Sequence, residues 1–116
     1  MGQAHQDNQS QVKWKYASSS DRRLFDAISF LFQNRPDLLD FVFHPSQPSL
    51  SMPSDKIKKI AKSLSDSDQL LIRIALDIWN DSGLINFSEI YQKLDNHNVF
   101  RVIQTLSLLS TGALSF

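Results

Sequence analysis

The side chains that could do chemistry are few and scattered. The three histidines, His5, His44 and His97, lie far apart, and none belongs to an HExxH or similar pair. His97 shares the polar turn DNHN with Asp95, an arrangement of a turn rather than of an acid–base dyad. His44, between Phe43 and Pro45, reads as a surface or capping residue. The chain has no Cys, which removes thiolate metal sites and disulfide scaffolds. No G-x-S-x-G, P-loop or GxGxxG run occurs, and there are only three glycines in all. The expectation is a non-catalytic protein with no cofactor and no resident metal.

One stretch carries oxygen ligands at a recognisable spacing. Asn80-Asp81-Ser82-Gly83-Leu84-Ile85-Asn86-Phe87-Ser88-Glu89 resembles the second part of an EF-hand calcium loop. Gly83 stands at the turn glycine, Ile85 at the short-strand position and Glu89 at the terminal bidentate ligand. Asn80, Ser82 and Asn86 fall on the third, fifth and ninth positions. The first position is then Ile78, which has no oxygen to offer, and Asp77 comes one residue too early. A hard cation needs more anionic oxygen than one carboxylate. Helix capping by Asn86, Glu89 and Gly83 explains the same residues without a metal.

The cations give a second reading. Lys56, Lys58, Lys59 and Lys62 line one side of a helical segment, with Asp55 as their only nearby anion. Such a face makes salt-sensitive, sequence-blind contacts with phosphate; more often it is an ordinary solvated face. Arg22 and Arg23, in the first turn of another segment, could meet phosphate or an acidic partner, or could simply be solvated. From about residue 54 onward, the order helix, short Leu84-Ile85, helix, four-residue turn, helix resembles the winged helix-turn-helix domains of small bacterial transcription regulators. The resemblance implies a reading helix offering Arg101 and Gln104, with Asn98 and Thr105. Tyr91 stands where that motif has a small residue, and Asp95-Asn96 replace its glycine and apolar turn residue. Residues 55–116 hold seven cations and seven anions, a balance that favours neither DNA nor a membrane surface.

The elements that would position these groups follow from apolar periodicity. Asp66 to Gly83 is the organising stretch: Leu70, Leu71, Ile74, Ala75, Ile78 and Trp79 recur at helical spacing, with Ile72 and Leu76 on the other side. A helix apolar on most of its circumference must be covered from several directions. Asp66 with Gln69 fits a capping box, Gly83 a left-handed stop, and Arg73 with Asp77 an i,i+4 pair. Before it, Asp21 reads as the cap of a helix with Leu24, Ile28, Leu31 and Phe32 on one stripe. Pro36 suits the first position of a short helix, DLLDFVF. Ser54 reads as the cap of a helix burying Ile57, Ile60, Ala61 and Leu64. After it, Asn86 and Glu89 fit a capping box with Ile85 stapled to Ile90, and a last helix over residues 98–110 precedes Gly112.

Polar residues 1–11 predict a disordered tail, and Val12-Lys13-Trp14-Lys15-Tyr16 alternates with the period of a strand or extended arm. His44-Pro45-Ser46-Gln47-Pro48-Ser49-Leu50-Ser51-Met52-Pro53-Ser54 reads as a linker, and its bare P-x-x-P is of very low specificity as a docking motif. The division expected is an arm over residues 1–20 and one helical domain over 21–116, made of a helical pair (21–43), the linker (44–54) and a C-terminal unit (55–116). With 41% hydrophobic and 21% charged residues and zero net charge, composition is that of a globular chain. No run approaches the roughly 18 apolar residues of a membrane span. There is no signal-peptide core, and Gln6 stands where a myristoylation signal wants Ser or Thr. The location expected is cytoplasmic.

These observations predict an all-α bundle of about five helices with a flexible N-terminal tail and room for a minor strand pair. The aromatics of VKWKY and of LFDAISFLF and DFVF are more large apolar groups than two short helices need to bury. Trp14, Tyr16, Phe30 and Phe41 lie off the main stripes and are the candidates for a surface that binds another protein or a second copy of the chain. A regulatory, inhibitory or adaptor role follows. The alternative is a nucleic-acid-binding regulator using Lys56, Lys58, Lys59, Lys62, Arg101 and Gln104.

Overall fold

A computed structural model describes residues 17–111. Trp14, Tyr16, the alternating VKWKY arm, the tail before it and the end from Gly112 lie outside the described residues.

The chain is mostly helical. Six helices follow in order among the described residues: α1 (Ser19–Leu31), α2 (Pro36–Val42), α3 (Ser54–Ala61), α4 (Asp66–Asn80), α5 (Phe87–Lys93) and α6 (Asn96–Thr111). That is one more than the five expected. Among the described residues the only strand-like pairing is a single antiparallel bridge between Phe43 and Leu50.

The helix starts differ from the sequence reading in an instructive way. α1 is capped by Ser18, whose hydroxyl accepts the Asp21 N–H at 3.0 Å. α4 is capped by Ser65, which accepts the Asp68 N–H at 3.2 Å. In both, the Asp taken for the cap sits inside the first turn, where its charge favours the positive end of the helix dipole. α3 begins at Ser54 after Pro53, without a side-chain cap. Pro36 does open α2, since its missing N–H would have had no helical partner. Asp95 starts α6, accepting the Asn98 N–H at 2.8 Å, so the expected polar turn is largely helix.

α4 is the centre. Leu70, Leu71, Ile72, Ile74, Ala75 and Leu76 are all buried, covering most of its circumference. α1, α3 and α5 pack against it, and α6 lies mainly on α1. Burying each of the five Leu and Ile side chains contributes about 1.5–3 kcal/mol, which fixes α4 as the element the others assemble on. Phe43 sits between Phe25 and Trp79 in two edge-to-face contacts, with centroids 5.2 and 5.1 Å apart.

Residues 44–53 fold back on the core. The His44 N–H donates to Ser49 O at 2.9 Å, Ser51 N–H to Val42 O at 2.9 Å, and the Ser51 hydroxyl to Phe41 O at 2.6 Å. Leu50 and Met52 thereby pack against the same hydrophobic cluster that joins α1 to α6. His44 accepts the Ser46 N–H at 3.1 Å through Nδ1, a turn inside this segment rather than a cap of α2, whose C-cap is Phe43.

Candidate functional site

The site begins where α4 ends. Asp81 takes the left-handed conformation at φ 64° and returns its N–H to Asp77 O at 3.0 Å. Gly83, expected to be that left-handed stop, has a different reason to be glycine. A Cβ on it would lie 2.0 Å from the carbonyl oxygen of Arg73, so the loop can press onto the α4 backbone only with no side chain there. The Gly83 N–H donates to the Asp77 carboxylate at 3.2 Å.

Leu84 follows at φ 55°, a region that disfavours a bulky residue by an amount of order 1–3 kcal/mol. Polar contacts from Arg73 hold it there. Its Nε donates to Gly83 O at 3.0 Å, and one terminal nitrogen donates to Leu84 O. The same guanidinium grips the Glu89 carboxylate with both terminal nitrogens, at 2.9 and 3.1 Å. Arg73 therefore pairs with Glu89 and not with Asp77, as the i,i+4 spacing had suggested. Glu89 also accepts the Asn86 N–H at 3.1 Å and the Lys93 ammonium at 3.3 Å. The Arg73 guanidinium, helped by the Asn86 N–H, holds the Glu89 carboxyl at a pKa of about 2. Lys58, on α3, closes the far side by donating to Ser82 O at 2.8 Å.

This clamp fixes α5 through its ends and its polar side. α5 has no fully buried residue; Ile85 and Ile90 lean half-buried on the core. The other apolar residues of this loop and helix stand in solvent: Phe87 is 82% exposed, Leu84 75% and Tyr91 69%. Phe87 and Tyr91 are four apart on one side of the helix, just beyond Leu84. Three large apolar groups on a loop and helix held by a charged clamp can do one thing chemically: bury against another apolar surface.

The residues singled out in the sequence that lie among the described ones are placed elsewhere. Phe30 is half-buried, with the Arg101 guanidinium 4.8 Å above its ring centre. Phe41 is half-buried and lines a cleft of about 220 Å³ with Leu38, Ile60 and Leu64. Arg101 also donates to Gln33 Oε1 at 2.6 Å, so it braces α6 against α1. Gln104 is half-buried on the same helix. Lys56, Lys59 and Lys62 are exposed on α3, while Lys58 is engaged with Ser82 and lies 3.7 Å from Asp55. The structure does not gather these cations with Arg101: α3 packs on α4, and α6 mainly on α1. Arg23 donates to Leu109 O beside an open cleft of about 290 Å³ lined by Arg22, Asp26 and Leu108.

The calcium-like spacing resolves into the same clamp. Glu89, in the place of the terminal ligand, meets an arginine and a lysine, and Asp77 serves the Gly83 N–H. Leu84, Phe87 and Tyr91 were legible in one respect only. Phe87 and Tyr91 fall on one side of the short helix and Ile90 on another, so a single packing surface leaves one side bare. No known protein family, curated protein or solved structure matches the chain.

Proposed function

We propose that the chain is a non-catalytic protein-interaction module of the cytoplasm, with a regulatory, inhibitory or adaptor role, and that it docks through Leu84, Phe87 and Tyr91. The observation that carries this reading is the exposure of three large apolar side chains on a segment held in place by Arg73 and Glu89. A contact site assembled before binding avoids the cost of ordering it on association. Tyrosine and phenylalanine are also residues that interfaces concentrate.

The ionisable groups that lie close together serve as ion pairs between neighbouring segments. Arg73 and Lys93 share the Glu89 carboxylate, and Arg35 bridges Asp37 and Asp68. Arg101, central to the nucleic-acid alternative, is engaged with Phe30 and Gln33, which weakens that reading.

The test is site-specific photo-crosslinking in the cells that make the protein. A photoreactive residue at position 87 or 91 is expected to trap protein adducts that the same residue at Lys59 does not. Equal trapping at all three positions removes the reading.

A further inference from the structure

α2 and α3 are anchored on different neighbours. α2 leans on α1 and α3 on α4, and a cleft of about 220 Å³ stays open between them. Leu38 and Phe41 line it from α2, and Ile60 and Leu64 from α3 and the turn after it, with the exposed Asp37 and Ser63. Ile60 is 46% exposed, so the apolar lining is open to solvent. Such a volume falls below the roughly 300–1,000 Å³ of small-molecule sites and suits a large side chain or two of a peptide.

We infer that this cleft is a second docking site, for a peptide segment of another protein that sets large apolar residues into it and carboxylates against Lys56 and Lys59. The charges around it give the sign. Lys56 and Lys59 come four residues before Ile60 and Ser63, which puts both lysines on the cleft side of α3. Both are exposed, and neither has an acidic partner among the described residues. Lys58 turns away to Ser82 O and Asp55, and Lys62 falls on another side of the helix than Ile60. Across the cleft, the Asp37 carboxylate is already gripped by Arg35 through hydrogen bonds of 3.1 and 3.0 Å, and Arg35 is shared with Asp68 on α4. Asp40 is exposed on α2 but does not line the cleft. The unmet charge on the cleft walls is therefore positive and confined to the α3 side.

The apolar lining separates this site from a plain phosphate contact. A phosphate backbone meets lysines without using Leu38, Phe41 and Ile60, whereas an acidic and apolar segment uses both. Exposed ion pairs add little by themselves, so the apolar anchor carries the affinity and the lysines select the residues that flank it. The cleft is separate from Leu84, Phe87 and Tyr91, which belong to a loop and helix packed on α4 and α6. A chain with two docking faces can hold two partners at once, the adaptor form of the proposed role.

Panning a phage-displayed library of random peptides on the purified full chain tests the inference. The expected result is enrichment of Asp and Glu beside Leu, Ile, Phe or Trp. Measured by fluorescence polarisation, the affinity of these peptides should fall about tenfold with Ile60→Ser, the scale of an anchoring side chain. It should fall about fivefold with Lys56→Gln plus Lys59→Gln, the scale of two exposed ion pairs, and not at all with Phe87→Ser plus Tyr91→Ser. Lys56→Glu plus Lys59→Glu changes only exposed side chains and should turn the selection towards Lys and Arg, a readout that does not depend on the Ile60 variant folding. A library that yields no binder, or binders without acidic residues, overturns the inference, as does binding indifferent to both Ile60→Ser and the lysine pair. Enrichment of Lys with aromatic residues on the parent chain overturns the acidic occupant and matches the chain's own Lys13-Trp14-Lys15-Tyr16 instead. If no peptide is enriched and mixed-sequence DNA binds through the lysines, the cleft yields to a nucleic-acid reading. Loss of binding confined to Phe87→Ser plus Tyr91→Ser overturns the cleft and leaves the docking role of the α5 face standing.

Discussion

α4 and α5 are neighbours in sequence and carry the same kinds of apolar residue, yet they are held by opposite means. α4 has six buried residues and is covered by helices on several sides. α5 has none fully buried and is fastened by an arginine, a glutamate, a lysine and a glycine that fits only by being small. The difference teaches that an apolar residue in this fold is core or surface according to how many elements surround its helix. Burial fixes α4, and its side chains are consumed in doing so. A polar clamp fixes α5 and leaves Leu84, Phe87 and Tyr91 available.

Breaking α4 should therefore cost the most. Leu76→Ala removes a side chain with no solvent exposure and is expected to lower stability by about 2–5 kcal/mol in urea denaturation. Gly83→Ala tests the joint between the two regions. Its Cβ must displace backbone rather than a flexible side chain, and a loss of about 1–3 kcal/mol is expected, with the loop shifted away from α4.

Arg73→Met removes the clamp while keeping much of the side-chain volume. It removes two of the hydrogen bonds to the Glu89 carboxylate and those to two loop carbonyls, so a loss of about 1–2 kcal/mol is expected. Amide exchange should quicken over residues 82–93 and stay slow in α4. Uniform quickening across both helices would dissolve the distinction between them.

Acid probes the same clamp from the other partner. The folded-state pKa of Glu89 lies below its ordinary 4.5, at about 2. Its contribution is thus complete above pH 4.5 and lost as pH falls from 4.5 towards 2. Glu89→Gln should lower stability at pH 7, and its gap to the parent chain should close over that window. A gap unchanged by acid would place the carboxylate's role elsewhere. The smallest effect on stability is expected on the open face: Phe87→Ser and Tyr91→Ser should each change it by no more than about 0.5 kcal/mol.

Much of the helical framework was legible because local physics decides it. The spacing of Leu70, Leu71, Ile74 and Ala75 made α4 central, and Ile72 and Leu76 on its other side required cover from more than one direction. Pro36 marked a helix start because its ring prefers that position. Capping was legible in kind but not in position. Ser18 and Asp21, or Ser65 and Asp66, offer similar oxygens, and the choice depends on the direction in which the packed chain enters the helix. The surface was less legible still. Phe30 and Phe41 look surplus along their own helices, but Arg101 from α6 lies over Phe30 and Phe41 packs against the core cluster.

By itself, the sequence determined a mostly helical chain with α4 at its centre, because apolar periodicity and turn residues act over a few positions. Only the tertiary structure decided that Arg73 reaches Glu89 sixteen residues away rather than Asp77 at four. It alone placed Gly83 against the α4 backbone and left Leu84, Phe87 and Tyr91 uncovered. These outcomes depend on which surfaces meet once the helices pack, and a helix of seven residues at the edge of a small core has too few neighbours to cover every side.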